Sequence, residues 1–566
     1  MSVGEAAPAV SSQGQAGRRW PVRPRVAVAA ILAVLVVAAV AVAVWFLLLR
    51  HSAAIDKLVP QSADVLVVAD LDPSISQKAN LLSLSHKFPN LKNDQALSRR
   101  VDDGLNQAFK DAGLSFDRDI KPWLGSRLAV AATVGERTAG LVLVDSKDDA
   151  RAKAALAKLR NSSSGKVLHW SDKTYQGQSL SVGTPGDGSQ PAVYAYVDHT
   201  VLIGNDEAMV REAIDADRGA KGRLAESSGY KATLSLLPSD RLLLAYVDGG
   251  RIDQRVKDAI RRGTSGAQVP TASLNQIDAF RSLGFALAAH ANGLAADLQL
   301  RLDPAKLDPT TRTALTQHTS LAHVLAHVPN TAYGFVATTA MRQIVQSIAD
   351  QLGSASPDAK TALQQLGLTG QGGALGYLSG PGAIELGPDP SSPAPGGALI
   401  LSTDNLGSFD TFVRNTVAAA FQGGPLTSGG RVRVRNYDGI DVMTVDAPEL
   451  SQMGYAPSWA VSPKLGTIGT TPDQVFAVIK AGNPQNSITT NAAYAAALRE
   501  VDQNPDSALY LAIKNAAAAL RGQLPADARA GYDKDVAPNL QPLRAFMLTS
   551  KTQSDRLSER FFLEIQ

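Results

Sequence analysis

The chain has 566 residues, 45% of them hydrophobic and 19% charged, a globular balance at a length suited to two or three domains. It contains no cysteine, which excludes disulfides, thiolate zinc sites, iron–sulfur clusters, a cysteine nucleophile and a lipoprotein anchor. The net charge of +3 is unevenly placed: residues up to Lys57 carry +4, so the remainder stands at −1, without the basic excess that nucleic-acid binding needs.

Residues 1–25, rich in Ala, Ser, Gly and Pro, read as a short disordered cytoplasmic tail. Val26 to Leu49 follows, 24 residues without a charge. Crossing ~30 Å of hydrocarbon at 1.5 Å per residue takes ~20 residues, so this run reads as a transmembrane helix. A cleaved signal peptide normally has an apolar region of ~7–15 residues before a small-residue cleavage site. Here the run is longer and ends in Trp45 and Phe46, which suit a membrane interface. Four arginines precede it (Arg18, Arg19, Arg23, Arg25), against Arg50 and Lys57 behind. The positive-inside rule therefore predicts an uncleaved single-pass anchor in the cell membrane, with the amino terminus cytoplasmic and the bulk outside.

Beyond the anchor the chain repeats itself. VLIGNDEAMVREAI at 201–214 matches GTIGTTPDQVFAVI at 466–479: a strand, a glycine, a helix cap and an amphipathic helix. Asn205 is the expected cap of the first helix, and Thr470 or Thr471 of the second, with Pro472 at its start. In the same order, VPQSADVLVVADLD from Val59 parallels VPNTAYGFVATTA from Val328. YQGQSLSV at Tyr175 parallels YDGIDVMTV at Tyr437, and the segment from Arg281 parallels that from Arg544 at an ungapped offset of 263. Across all matches the offset stays between about 254 and 269, which small loop insertions absorb.

The expected organisation is a first repeat at 50–303, a helical connector at 304–327 and a second repeat at 328–566. Short alternating strands such as LVLV and DVMTV, with interleaved helices at Asp148 to Arg160 and Asp206 to Asp215, predict an α+β fold. Each repeat should be an antiparallel sheet with helices packed on one face. Asn292-Gly293 reads as a hairpin turn, and GPDPSSPAPGG from Gly387 as a long hairpin loop.

PQSADVLVVADLDP with FDRDIKPWLGSRLAVA resembles the opening of DUF3352, an uncharacterised family of bacterial single-pass membrane proteins. The Pro60, Ala63 and Asp64 strand entry and the DIKPWLG segment at Asp119–Gly125 carry the resemblance, and GALGYLSG replaces that segment in the second repeat. The family implies a membrane anchor and an extracytoplasmic duplicated domain. It implies no activity and no catalytic residues.

Candidate chemistry is thin. His323 and His327, four apart in HVLAH and near His318, would share a helix face and could chelate a metal. The zincin pattern needs glutamate where Val324 stands, and no acidic third ligand is nearby in sequence, so connector packing is the simpler role. Asp70 and Asp72 alternate onto one strand face and could meet a hard cation, but a solvated strand end accounts for them equally. Ser163 to Lys166 has serine–lysine acylase spacing without the companion motifs of that class. Trp123 and Trp170 read as core anchors before ligand platforms. No cofactor is expected.

These features point to a membrane-anchored extracytoplasmic binding or scaffold protein of the bacterial cell envelope, not an enzyme. Its expected partners are the bilayer through Val26 to Leu49 and an envelope protein, polymer or lipid. A carrier of a lipid or other apolar ligand is the alternative, with a hydrolase of unrecognised geometry behind it.

Overall fold

The structure, a computed structural model, describes residues 55–566 apart from 93–98, 100–101, 108–112, 136–137, 262–277, 317, 344–345, 347–349, 351–373, 393, 404, 424–430, 453 and 464. Among these described residues twenty strands form one sheet. The first ten are β1 Val65–Asp70, β2 Leu124–Thr133, β3 Ala139–Ser146, β4 Leu168–Tyr175, β5 Gln178–Pro185, β6 Ala192–Val197, β7 Thr200–Gly204, β8 Leu243–Asp248, β9 Phe280–His290 and β10 Gly293–Leu302. The second ten are β11 Gly334–Thr338, β12 Gly382–Gly387, β13 Gly396–Leu401, β14 Arg431–Tyr437, β15 Ile440–Asp446, β16 Ser458–Val461, β17 Gly466–Gly469, β18 Ser507–Leu511, β19 Leu543–Gln553 and β20 Arg556–Ile565.

Among the described residues every strand pairing is antiparallel. Within the first half the spatial order is β4-β5-β6-β7-β3-β2-β1-β8-β9-β10. The second half runs in the same internal order, β14-β15-β16-β17-β13-β12-β11-β18-β19-β20. The two runs meet where β10 pairs with β20, from Gly293 opposite Glu564 to Arg301 opposite Arg556.

The expectation of a transmembrane helix followed by two separate sheets, each with helices on one face, is therefore corrected on two points. First, the hydrogen-bond ladder continues through β10 and β20, making one sheet of both halves. Second, both faces of the sheet carry helices. On β3, Leu141 and Leu143 pack with the helices Ile55–Leu58 and Glu207–Asp217, while Val142 and Val144 pack with Asp149–Arg160 and Trp123. On β13, Ala398 and Ile400 face Pro472–Ala481 and Ala492–Arg499, while Leu399 and Leu401 face Leu406–Gly423. A strand apolar at every position wants cover on both sides. Val26 to Leu49 lies outside the described residues, and among those described no helix is long and apolar enough to cross a membrane.

The seam has local symmetry. Paired residue numbers across β10 and β20 sum to 857, and the two segments align at an offset of 263. Asp297 and Arg560 alone satisfy both relations, so they are equivalent positions facing each other on the axis that relates the halves. Two like charges there would repel each other. Instead Arg560 Nε donates to Asp297 at 2.7 Å. Burial raises the Asp297 carboxyl and the guanidinium opposes that rise. Because Arg560 is 42% exposed, solvent screens the pair, and its net worth is modest. Asp297→Arg alone is expected to cost about 2 kcal/mol through like charges across the ladder. Adding Arg560→Asp should recover most of it, in a double-mutant cycle read by urea unfolding; a double variant no better than the single would deny the pair its role.

Candidate binding site

A cleft of about 540 Å³ opens in the first half between β1, β2 and β8 and the helix Ser228–Leu234. The helix is held in place locally. Ser227 caps it by accepting from the Tyr230 N–H at 3.2 Å, and the Thr233 and Ser282 hydroxyls meet at 2.7 Å to fix it to β9. Close approach requires Gly284 beneath it, where a Cβ would stand 2.5 Å from Thr233 Cγ2. Tyr230 turns its ring edge-on to Tyr246, with centroids 5.0 Å apart. Burial pushes the Tyr230 phenol up to about 12, so it stays protonated.

The cleft wall is apolar, including Val68, Leu234, Leu237 and Leu244, and its rim is ionic. Arg127 on β2 lies opposite Asp70 in register and reaches Asp56 at 2.8 Å. Burial raises the Asp70 carboxyl; the Asp72 N–H, donating to it at 3.0 Å, and Arg127 act against that rise. Lys231 and Arg241 complete the rim. An apolar wall with a few fixed charges is how proteins hold small amphipathic molecules, and the volume falls within the usual range for such sites.

The second half repeats the scaffold without the rim. Tyr494 and Tyr510, the equivalents of Tyr230 and Tyr246, also pack edge-on at 5.3 Å. The equivalents of Asp70 and Arg127 by strand alignment are Thr339 and Pro381, which carry no charge. The recurring Tyr pair could have been found in sequence. The rim could not, because its members come from five separated places in the chain.

The residues singled out in sequence lie elsewhere. His323 and His327 sit edge-on with ring centroids 5.2 Å apart, and His327 Nδ1 donates to the His323 carbonyl oxygen at 3.0 Å. His318 is 3.0 Å from Asp506. Among the described residues no three His, Asp or Glu are grouped to hold a metal. Trp123 is buried under Asp149–Arg160, its indole N–H donating to the Asp119 carbonyl at 2.6 Å. Trp170 donates to the Gly165 carbonyl at 2.8 Å, tilts against Tyr194 at 5.3 Å and lies under Arg160. Ser163–Lys166 is a single helical turn capped by Ser162. Asp70 ends β1, and Asp72, beyond it, pairs with Lys78, so the two do not share a strand face.

A second surface lies on the opposite half. Val336, Ile384, Leu386 and Leu511 stand between 38% and 55% exposed on the neighbouring strands β11, β12 and β18. Ile384 is opposite Val336, and both Leu386 and Leu511 are opposite Gly334, so the four form one patch.

The model of the family described as "Protein of unknown function (DUF3352)" matches residues 26–371. The chain belongs to this family. The matched stretch contains the whole cleft and the run Val26 to Leu49, and ends before β12. Among solved structures, crystal form I of TP0453 is similar over 47% of this chain and 85% of that one, at 11% identity and a TM-score of 0.24. Crystal form III of TP0453 covers 47% and 86%, at 12% identity and 0.22. The comparison with curated proteins returns no match.

Proposed function

We propose that this DUF3352 member is a non-enzymatic binding protein of the bacterial cell envelope, kept at the membrane by Val26 to Leu49 with its body outside the cytoplasm. The cleft carries the reading. Its apolar wall and its rim of Asp56, Asp70, Arg127, Lys231 and Arg241 suit a small molecule with an apolar body and a charged end. The charged rim exists in only one half, as expected of a ligand site built onto a shared scaffold. The uninterrupted apolar run and the arginines ahead of it support the location.

Native mass spectrometry of the full chain, extracted from its membranes in mild detergent, tests the binding. The expected result is a small-molecule adduct that disappears in Ser235→Trp, which fills the cleft from an exposed position. No adduct in either form would end the cleft reading. An adduct of lipid mass that survives Ser235→Trp would favour the second reading, a carrier of apolar ligands, which the exposed patch of Val336, Ile384, Leu386 and Leu511 supports. For the location, protease added to intact cells should digest the body; a protected body would refute it.

A further inference from the structure

Strand β14 lies at the outer end of the sheet, twelve or more strands from the cleft, and among the described residues it pairs only with β15. Residues 431–436 are all exposed. Its sequence RVRVRNY puts Arg431, Arg433 and Arg435 on one face and Val432 and Val434 on the other. Arg433 is ion-paired with Asp446, and Arg435 lies over the Phe476 ring at 5.2 Å, so two of the three guanidiniums are held in place.

The hairpin turn fixes which backbone groups are free. Tyr437 pairs with Ile440 across a two-residue loop, Asp438 and Gly439, both at positive φ. A two-residue loop closes on a hydrogen-bonded pair, and hydrogen-bonded pairs then recur at every second residue. Tyr437, Arg435, Arg433 and Arg431 therefore bond to β15. The N–H and C=O groups of Val432, Val434 and Asn436 point outward from the sheet.

The other outer strand, β4, is finished differently. By alignment at Tyr175 and Tyr437, Trp170 stands where Val432 does and Asp172 where Val434 does. Trp170 is packed on Tyr194, and Asp172 accepts from Arg160 at 2.9 Å and from Ser181 at 2.7 Å. On β14 the same positions are valines 43% and 59% exposed.

We propose that β14 is a docking edge for an extended segment of a partner protein in which acidic and apolar residues alternate. Such a strand would take up the outward N–H and C=O groups, set its acids opposite the arginines and its apolar residues opposite Val432 and Val434. A charged outer strand commonly serves only to block pairing. Here the charges all have one sign and lie on one face, which blocks a second copy while leaving an acidic strand welcome. Pairing of β14 with β14 about a twofold axis would place arginine opposite arginine. The chain uses the complementary device at its own seam, where Asp297 opposes Arg560.

The test is fluorescence anisotropy with the full chain in detergent and a labelled heptapeptide of alternating Glu and Val, against the same peptide with Lys for Glu. The Glu peptide should bind at least tenfold tighter than the Lys peptide, and its affinity should fall with salt. Arg431→Glu should weaken it at least fivefold. Val434→Pro removes an outward N–H without breaking the β14–β15 ladder and should weaken it at least tenfold with an unchanged melting temperature. Equal binding of the two peptides would overturn the proposal. So would full binding by Val434→Pro, since strand addition needs that donor, or a concentration-dependent dimer lost in Val434→Pro.

Discussion

Replacing Glu385 by alanine should make the chain more stable at pH 8 and less stable at pH 5 than the native protein. Glu385 is on β12, 0% exposed, and neither carboxyl oxygen has a hydrogen-bond partner among the described residues. Its register partner Phe335 is equivalent to Leu66, whose partner on β2 is Ala131, so the first half carries alanine at this position. A carboxyl group in that core must either shed its charge or lose its hydration. Burial pushes its pKa up to about 8.

The direction of the pH effect follows. The unfolded group titrates near 4.5 and the folded one near 8. The folded state therefore holds its proton longer, and its stability is complete below the unfolded value. Stability then falls as pH rises through the window from 4.5 to 8, at about 1.4 kcal/mol per unit, before levelling. Alanine removes this slope and leaves a void costing about 2 kcal/mol. The two stability curves should cross at about pH 6. Urea unfolding of the full chain at half-unit pH steps reads this directly, and parallel curves for the two proteins would refute it.

The second large effect is expected at the seam. Gly293→Val should destabilise the chain by more than about 3 kcal/mol, because backbone atoms cannot yield without breaking the ladder. A Cβ at Gly293 would stand 2.1 Å from the Leu563 carbonyl oxygen and 2.7 Å from the Phe562 ring. Gly293 opens β10 opposite Glu564, so relief would require β20 to peel away from its first partner. The readouts are the melting temperature and the rate of protease cleavage at the helix Pro309–Thr316 that links the halves. A variant that melts with the native protein would show that the seam has slack.

Local features were legible in sequence where local chemistry decides them. The helix read from Asp148 to Arg160 spans Asp149–Arg160 with Asp148 as its cap, and GPDPSSPAPGG joins the paired strands β12 and β13. Two readings missed by a residue for identifiable reasons. Asn205 does not cap the Glu207–Asp217 helix, because its side chain accepts from the Gly140 N–H at 2.6 Å and donates to the Thr138 carbonyl at 3.1 Å. Asp206 takes its place, accepting from the Met209 N–H at 2.9 Å. The hairpin after β9 turns on Ala291 and Asn292, leaving Gly293 for the strand that must lie close against β20.

The larger misreading was of what covers what. LVLV reads in sequence as an alternating strand with helices on one face, whereas leucine and valine at successive positions serve two buried faces, as β3 does. The continuity of the sheet had no local signature, because an edge says nothing about a partner more than 250 residues away. The cleft was illegible for the same reason: Asp56, Asp70, Arg127, Tyr230 and Arg241 meet only after β1, β2 and β8 are assembled.

That separation also orders events in time. β10 is complete once Leu302 has been made, whereas its partner strand runs from Arg556 to Ile565. At ~5–20 residues per second, the ribosome needs roughly 10–50 s to supply the missing strand. Throughout that interval a nascent first half offers a bare ten-residue rim to its neighbours on the same message. Two such rims meeting about the same axis would bring Asp297 face to face with its own copy, a repulsion that discourages swapped pairs. The rim keeps its favourable charge for Arg560, the last of the chain's arginines to emerge.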